Sequence, residues 1–109
     1  MLTKGKKLLF AKQAAIAKAI AHPIRIAILD CLKDGEQCVC GIAGHIGSER
    51  SNVSRHLSVM VNAGVLEYHK EGLKVIYKLK TPCILDFFSC IAACLKLQAK
   101  ENEKLLKAL

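Results

Sequence analysis

Six cysteines occur among 109 residues, and two groups of them have spacings suited to chemistry. Cys38 and Cys40 stand one residue apart in the stretch EQCVCG. Side chains at i and i+2 of an extended segment point the same way, so a CxC just ahead of a helix can chelate one ion through both sulfurs. Thiolate rather than thiol binds soft ions, and the positive end of a helix together with nearby cations favours the thiolate. Cys83, Cys90 and Cys94 form the second group. Their i, i+7, i+11 spacing puts them within about 40° of one helical face. Each group also has a plain packing role open to it, since cysteine is a small hydrophobe and the second stripe includes Phe87 and Leu97. Cys31, between Leu29 and Leu32, reads as core.

The elements that carry these thiols follow from periodicity and punctuation. KKLLFAKQAAIAKAI, from about Lys6 to Ile20, is an alanine-rich amphipathic helix. Pro23 opens a second helix, PIRIAILDCLK, which stops near Asp34 and Gly35. A short third helix runs from about Val39 to His45 and closes at Gly47. The fourth starts after Ser48 as N-cap and ends at Gly64. In it Val53, Leu57, Met60 and Val61 make a buried face, while Ser51, Arg55, Ser58 and Asn62 lie opposite. VLEYHK and VIYKLK flank EGLK as a two-stranded hairpin, and beyond Pro82 a long apolar helix continues.

Mainly helical, with the order α1-α2-α3-α4-β-β-α5, this is one domain of winged helix-turn-helix type spanning residues 1–109. The 17 lysines and arginines against nine acids leave a net charge of +8, a field that favours a polyanion. The second helix of such a motif lies in the major groove, so Arg50, Ser51, Asn52, Ser54 and Arg55 are candidates for base contact, with Arg55 able to pair bidentately with guanine. Ser58 shares their polar face, and His56 is placed to approach phosphate or base. Lys70 and Lys74, flanking the hairpin tip, are candidates to hold phosphates. A merely solvated helix face remains the alternative. His22 reads as a helix-entry residue, and His45 and His69 as surface.

Lys12, Lys18 and Arg25 interrupt every apolar run, which argues against a signal or membrane segment and for a cytoplasmic protein with reduced thiols. There is no CxxC, no glycine-rich phosphate loop and no cysteine with an evident base, which argues against an enzyme.

HPIRIAIL, CVCGIAGHIG, SNVSRHLSVMVNAGVL and KEGLKVIYKL together resemble the ArsR/SmtB family of metal-responsive repressors, over roughly residues 15 to 97. The resemblance implies a homodimer joined through its first and last helices, a palindromic DNA operator, and a recognition helix from about Ser48 to Gly64. It implies release by an inducer and no organic cofactor. The family's arsenite, antimonite, cadmium and lead sensors carry CVC at this place, which makes Cys38 and Cys40 the preferred ligands. The chain departs from that pattern in two ways. Ala43 or Gly44 stands where an arsenic-responsive member has a third cysteine, and MLTKGKKLLFAK lacks the cysteines that cadmium sensors use in their N-terminal arm. Cys83 and Cys94 fall where zinc sensors place histidines shared across the dimer, while Thr81 and Leu97 replace that site's carboxylates. Sulfur without hard oxygen donors suits As(III), above all, or Sb(III), Cd(II), Pb(II) or Cu(I), better than zinc or cobalt. A thiol redox or polysulfide switch on the same fold is the alternative, and a thiol enzyme or metallochaperone stands behind it.

Overall fold

The computed structural model describes residues 1–109. Helix α1 (Lys4–Ile20) begins two residues before the expected start because Thr3 Oγ1 accepts from the Lys6 backbone N–H at 3.1 Å. Helix α2 (Pro23–Leu32) has Pro23 at its first position, where the missing N–H costs nothing. Helix α3 (Val39–Ile46) ends at Gly47, whose φ of +76° is the left-handed conformation that lets its N–H bond back to Ala43 O at 2.8 Å. Helix α4 (Arg50–Asn62) follows after three residues, giving the helix-turn-helix.

Strands β2 (Leu66–Glu71) and β3 (Lys74–Leu79) pair antiparallel about Gly72, which turns at φ +62°. The hairpin is not the whole sheet. Residues Gln37–Cys38 form β1, which pairs with the far edge of β3 in the order β1-β3-β2. Two residues cannot show an alternating pattern, and their strand character comes from pairing with Tyr77 and Ile76 alone. A further correction concerns α4: Glu49, not Ser48, occupies the N-cap, without a side-chain bond, while Ser48 Oγ accepts from Asn52 Nδ2 at 3.0 Å.

The core joins α2, α3, α4 and the start of β2 through Ile28, Leu29, Leu32, Ile42, Ala43, Val53, Leu57, Met60, Val65 and Leu66. Val53, Leu57 and Met60 are fully buried, as their i, i+4, i+7 spacing predicts, and Val61 packs half-buried beside them. Cys31 packs against the same cluster, and burial raises its thiol pKa, in keeping with a core role.

Helix α5 (Ile84–Ala108) contains no buried residue, and α1 buries only Ala19 and Ile20. Leu8, Leu9, Phe10 and Ile16 on α1, and Phe87, Ile91, Leu95 and Leu97 on α5, are exposed. The Cα radius of gyration is 17.5 Å. A compact domain of this length has about 13 Å, so the two terminal helices project from the core. No helix is long and apolar enough to cross a membrane.

Candidate nucleic-acid interface and thiol site

Helix α4 hides its apolar face in the core, which leaves Arg50, Ser51, Arg55 and Ser58 exposed on the other side. Arg55 Nη2 donates to Asn52 Oδ1 at 2.9 Å, and Asn52 Nδ2 donates in turn to Ser48 Oγ. This chain stiffens the first two turns and holds the Arg55 guanidinium along the helix surface. Asn52 and Ser54 are half-buried, so Arg50, Ser51, Arg55 and Ser58 are the freer of the candidate contacts. Lys70 and Lys74 stand exposed on either side of the β2–β3 turn, with Leu73 fully extended into solvent between them.

His56, a candidate to approach phosphate or base, is half-buried and has one ring nitrogen already engaged. Its Nδ1 accepts from Arg25 Nε at 3.0 Å, and its ring lies 4.5 Å from that of His22. Burial, then the charges of His22, Arg25 and Arg55, depress its pKa below the usual histidine value. His22 enters α2 as expected, its Nδ1 accepting from the Ile24 N–H at 3.0 Å. Arg25 was legible only as an interruption of an apolar run, because its partner is 31 residues away.

The CxC straddles a junction instead of lying in an extended segment. Cys38 ends β1 and caps α3, its Sγ accepting from the Gly41 N–H at 3.4 Å, while Cys40 already lies inside the helix. That hydrogen bond leads the causes that lower the Cys38 pKa, with the Lys74 charge and the backbone and thiol of Cys40 adding to it against partial desolvation. Cys38, Val39 and Cys40 share a cleft of 110 Å³ with Arg50 of α4 and Leu73, Lys74 and Val75 of the hairpin. The thiol pair, the candidate base contact Arg50 and the candidate phosphate holder Lys74 thus border one space. Ala43 is buried and Gly44 exposed, and neither supplies a third donor.

Cys83, at the α5 N-cap, and Cys90 and Cys94, within α5, are all exposed. Cys83 and Cys90 are seven residues apart, about 10 Å along a helix axis, too far for one ion to bind both within a single chain. Of the three, only Cys94 has a side-chain hydrogen bond, accepted from Gln98 Nε2 at 3.9 Å. Sequence reading took His69 as a surface residue and did not group it with Glu36 and Glu71, whose ligand atoms and its own lie within 4.8 Å of one another. They are exposed, with His69 Nε2 and Glu71 Oε1 already 3.1 Å apart. The strand β1 that brings Glu36 there had no signal of its own.

A helix-turn-helix, a basic wing and a net positive charge define a winged-helix DNA-binding regulator. Residues 22–68 match the family model described as bacterial regulatory protein, arsR family. The chain is 35% identical over 71 residues to the transcriptional repressor SdpR of Bacillus subtilis, an alignment covering 65% of this chain and 79% of that one. It is 39% identical over 67 residues to a cadmium resistance transcriptional regulatory protein, a CadC homologue of Staphylococcus aureus, with 61% of this chain and 55% of that one covered. Its fold is similar to the solution structure of a homodimeric winged helix-turn-helix DNA-binding domain from Mycobacterium bovis, described as a possible ArsR-family transcriptional regulator. The TM-score is 0.78 at 25% identity, over 92% of this chain and 93% of that one. The protein belongs to the ArsR family and is a DNA-binding transcriptional regulator, not an enzyme.

Proposed function

We propose that this protein is a homodimeric repressor that leaves its operator when a soft, thiophilic ion, As(III) foremost, binds Cys38 and Cys40. The observation that carries the reading is the shared cleft, in which two thiols at the start of α3 meet Arg50 at the start of α4 and Lys74 at the wing. The donor set suits the ion. Two sulfurs with no carboxylate or imidazole in the cleft select a soft centre over a hard one. Such an ion supplies strong bonds to thiolate, and an Sγ engaged in one has less electron density for the Gly41 N–H. The start of α3 then loses part of its cap, and α3 packs directly on α4 through Ile42 and Ala43. A hundredfold loss of operator affinity needs about 2.7 kcal/mol of coupling, well within the allosteric range.

The dimer reading rests on the exposed apolar residues of α1 and α5, too extensive to leave to water on a monomer. The Mycobacterium bovis domain of similar fold is a homodimer. DNA contact is assigned to Arg50, Ser51, Asn52, Ser54, Arg55, Ser58, Lys70 and Lys74, while His56 Nδ1 is engaged by Arg25.

Titration of operator-bound protein with As(III), Cd(II), Pb(II), Zn(II) and Cu(I) tests the proposal on two double variants. Cys38→Ser with Cys40→Ser should stay on DNA at inducer levels that release the parent, and Cys83→Ser with Cys94→Ser should be released like the parent. The reverse pattern moves sensing to α5. Release by oxidant alone, reversed by reductant, replaces the ion with a thiol redox signal.

A further inference from the structure

We propose that Arg25 and His56 are a positioning pair for operator binding: their hydrogen bond sets the roll of α4 against the α1–α2 corner, and a proton on His56 Nδ1 releases it. The proposal rests on α4 entering DNA, which family membership carries, and not on the inducer reading. Arg25 Nε donates to His56 Nδ1 at 3.0 Å, and Arg25 Nη1 donates to Ala19 O, at the end of α1, at 3.4 Å. One guanidinium thereby ties three helices. The His22 ring tilts against His56 at 4.5 Å, and its own Nδ1 is committed to the α2 N-cap.

A hydrophobic helix face resists separation but tolerates rotation, because apolar contact has no direction. Val53, Leu57 and Met60 therefore hold α4 down without fixing which way Arg55 points. A planar guanidinium bound on the flank of α4, one residue after Arg55, does fix it. The bond exists only while Nδ1 carries a lone pair. The charged and titratable groups facing His56 are His22 and Arg25 from the α2 side and Arg55 from its own helix, and all are cationic or become so on protonation. A proton on Nδ1 removes the acceptor and leaves two like charges where one bond stood. The freed imidazolium adds positive charge beside DNA, so acidification erodes discrimination between sequences while general affinity for the polyanion is kept or raised.

The experiment uses the reduced full chain and two duplexes: one selected by the parent from a random pool at about pH 7.5, and a scrambled duplex of the same composition. The ratio of the two affinities should fall about tenfold, the scale of one charged hydrogen bond, at a pH well below the ordinary histidine value, because His56 takes up its proton only there. His56→Asn, whose side-chain oxygen takes the place of Nδ1 and does not titrate, should keep most of the ratio and flatten the profile. His56→Leu and Arg25→Ala should show the low ratio at both pH values. A His56→Asn profile that falls like the parent's overturns the proposal, even if Arg25→Ala fails to fold. A parental ratio and profile in a folded Arg25→Ala protein overturns it as well. A parent that selects no duplex refutes the DNA reading itself, and the positioning role with it.

Discussion

Replacing Cys38 separates two roles that one sulfur holds, because it caps α3 and also stands as the preferred inducer ligand. Cys38→Ala removes the acceptor of the 3.4 Å bond from Gly41 N–H and leaves an orphan donor at the helix start. Loss of an N-cap side chain costs about 0.5–2 kcal/mol, and a sulfur acceptor at this length belongs at the lower end. A loss near 1 kcal/mol lowers the melting temperature by about 4–8 °C in a domain of this size. Cys38→Ser keeps an acceptor, and a better one, so its melting temperature should match or exceed the parent's. Both variants should lose stabilisation by As(III) equally, since neither offers the second thiolate. Thermal melts read by circular dichroism, at one protomer concentration with and without As(III), measure all three effects. The folded pKa of Cys38 is lowered, so its contribution to stability is complete above the unfolded value and is lost as pH falls through the folded one. The parent should therefore gain stability on approach to pH 9.0, relative to Cys38→Ser. Equal melting temperatures for the alanine and serine variants would refute the capping argument. Undiminished As(III) stabilisation in either would refute the ligand assignment.

Arg55→Ala should relax operator specificity at one base pair, whereas Lys74→Gln should weaken binding evenly and reduce the salt slope by about one unit; footprints and salt titrations tell them apart. Phe87→Glu with Ile91→Glu, both on the exposed face of α5, should shift the protein to a monomer in sedimentation at micromolar concentration, and a persisting dimer would place the interface elsewhere. Leu57→Ala, at a fully buried position between α4 and the core, should cost about 2–5 kcal/mol in chemical denaturation, and a loss below about 1 kcal/mol would mean that α4 is not packed as described.

The five helices, the hairpin and the buried face of α4 are properties of the sequence alone. Each rests on signals a few residues apart: a proline at a first turn, glycines at Gly47, Gly64 and Gly72, and apolar spacing at Val53, Leu57 and Met60. The thiol pair was equally visible, since a CxC is local. Tertiary structure decided what those local pieces meet. It made a strand of Gln37–Cys38 by offering them the free edge of β3, and that strand turned the expected extended CxC into a helix cap. It set Arg50 and Lys74 around the sulfurs, from segments that no periodicity connects to residue 38. It also drew His56 to Arg25, because a half-buried imidazole takes the nearest donor, and that donor lies 31 residues away along the chain. Local pattern determines where hydrogen bonds within a helix or hairpin can form, but bonds between side chains distant in sequence exist only once the core has closed.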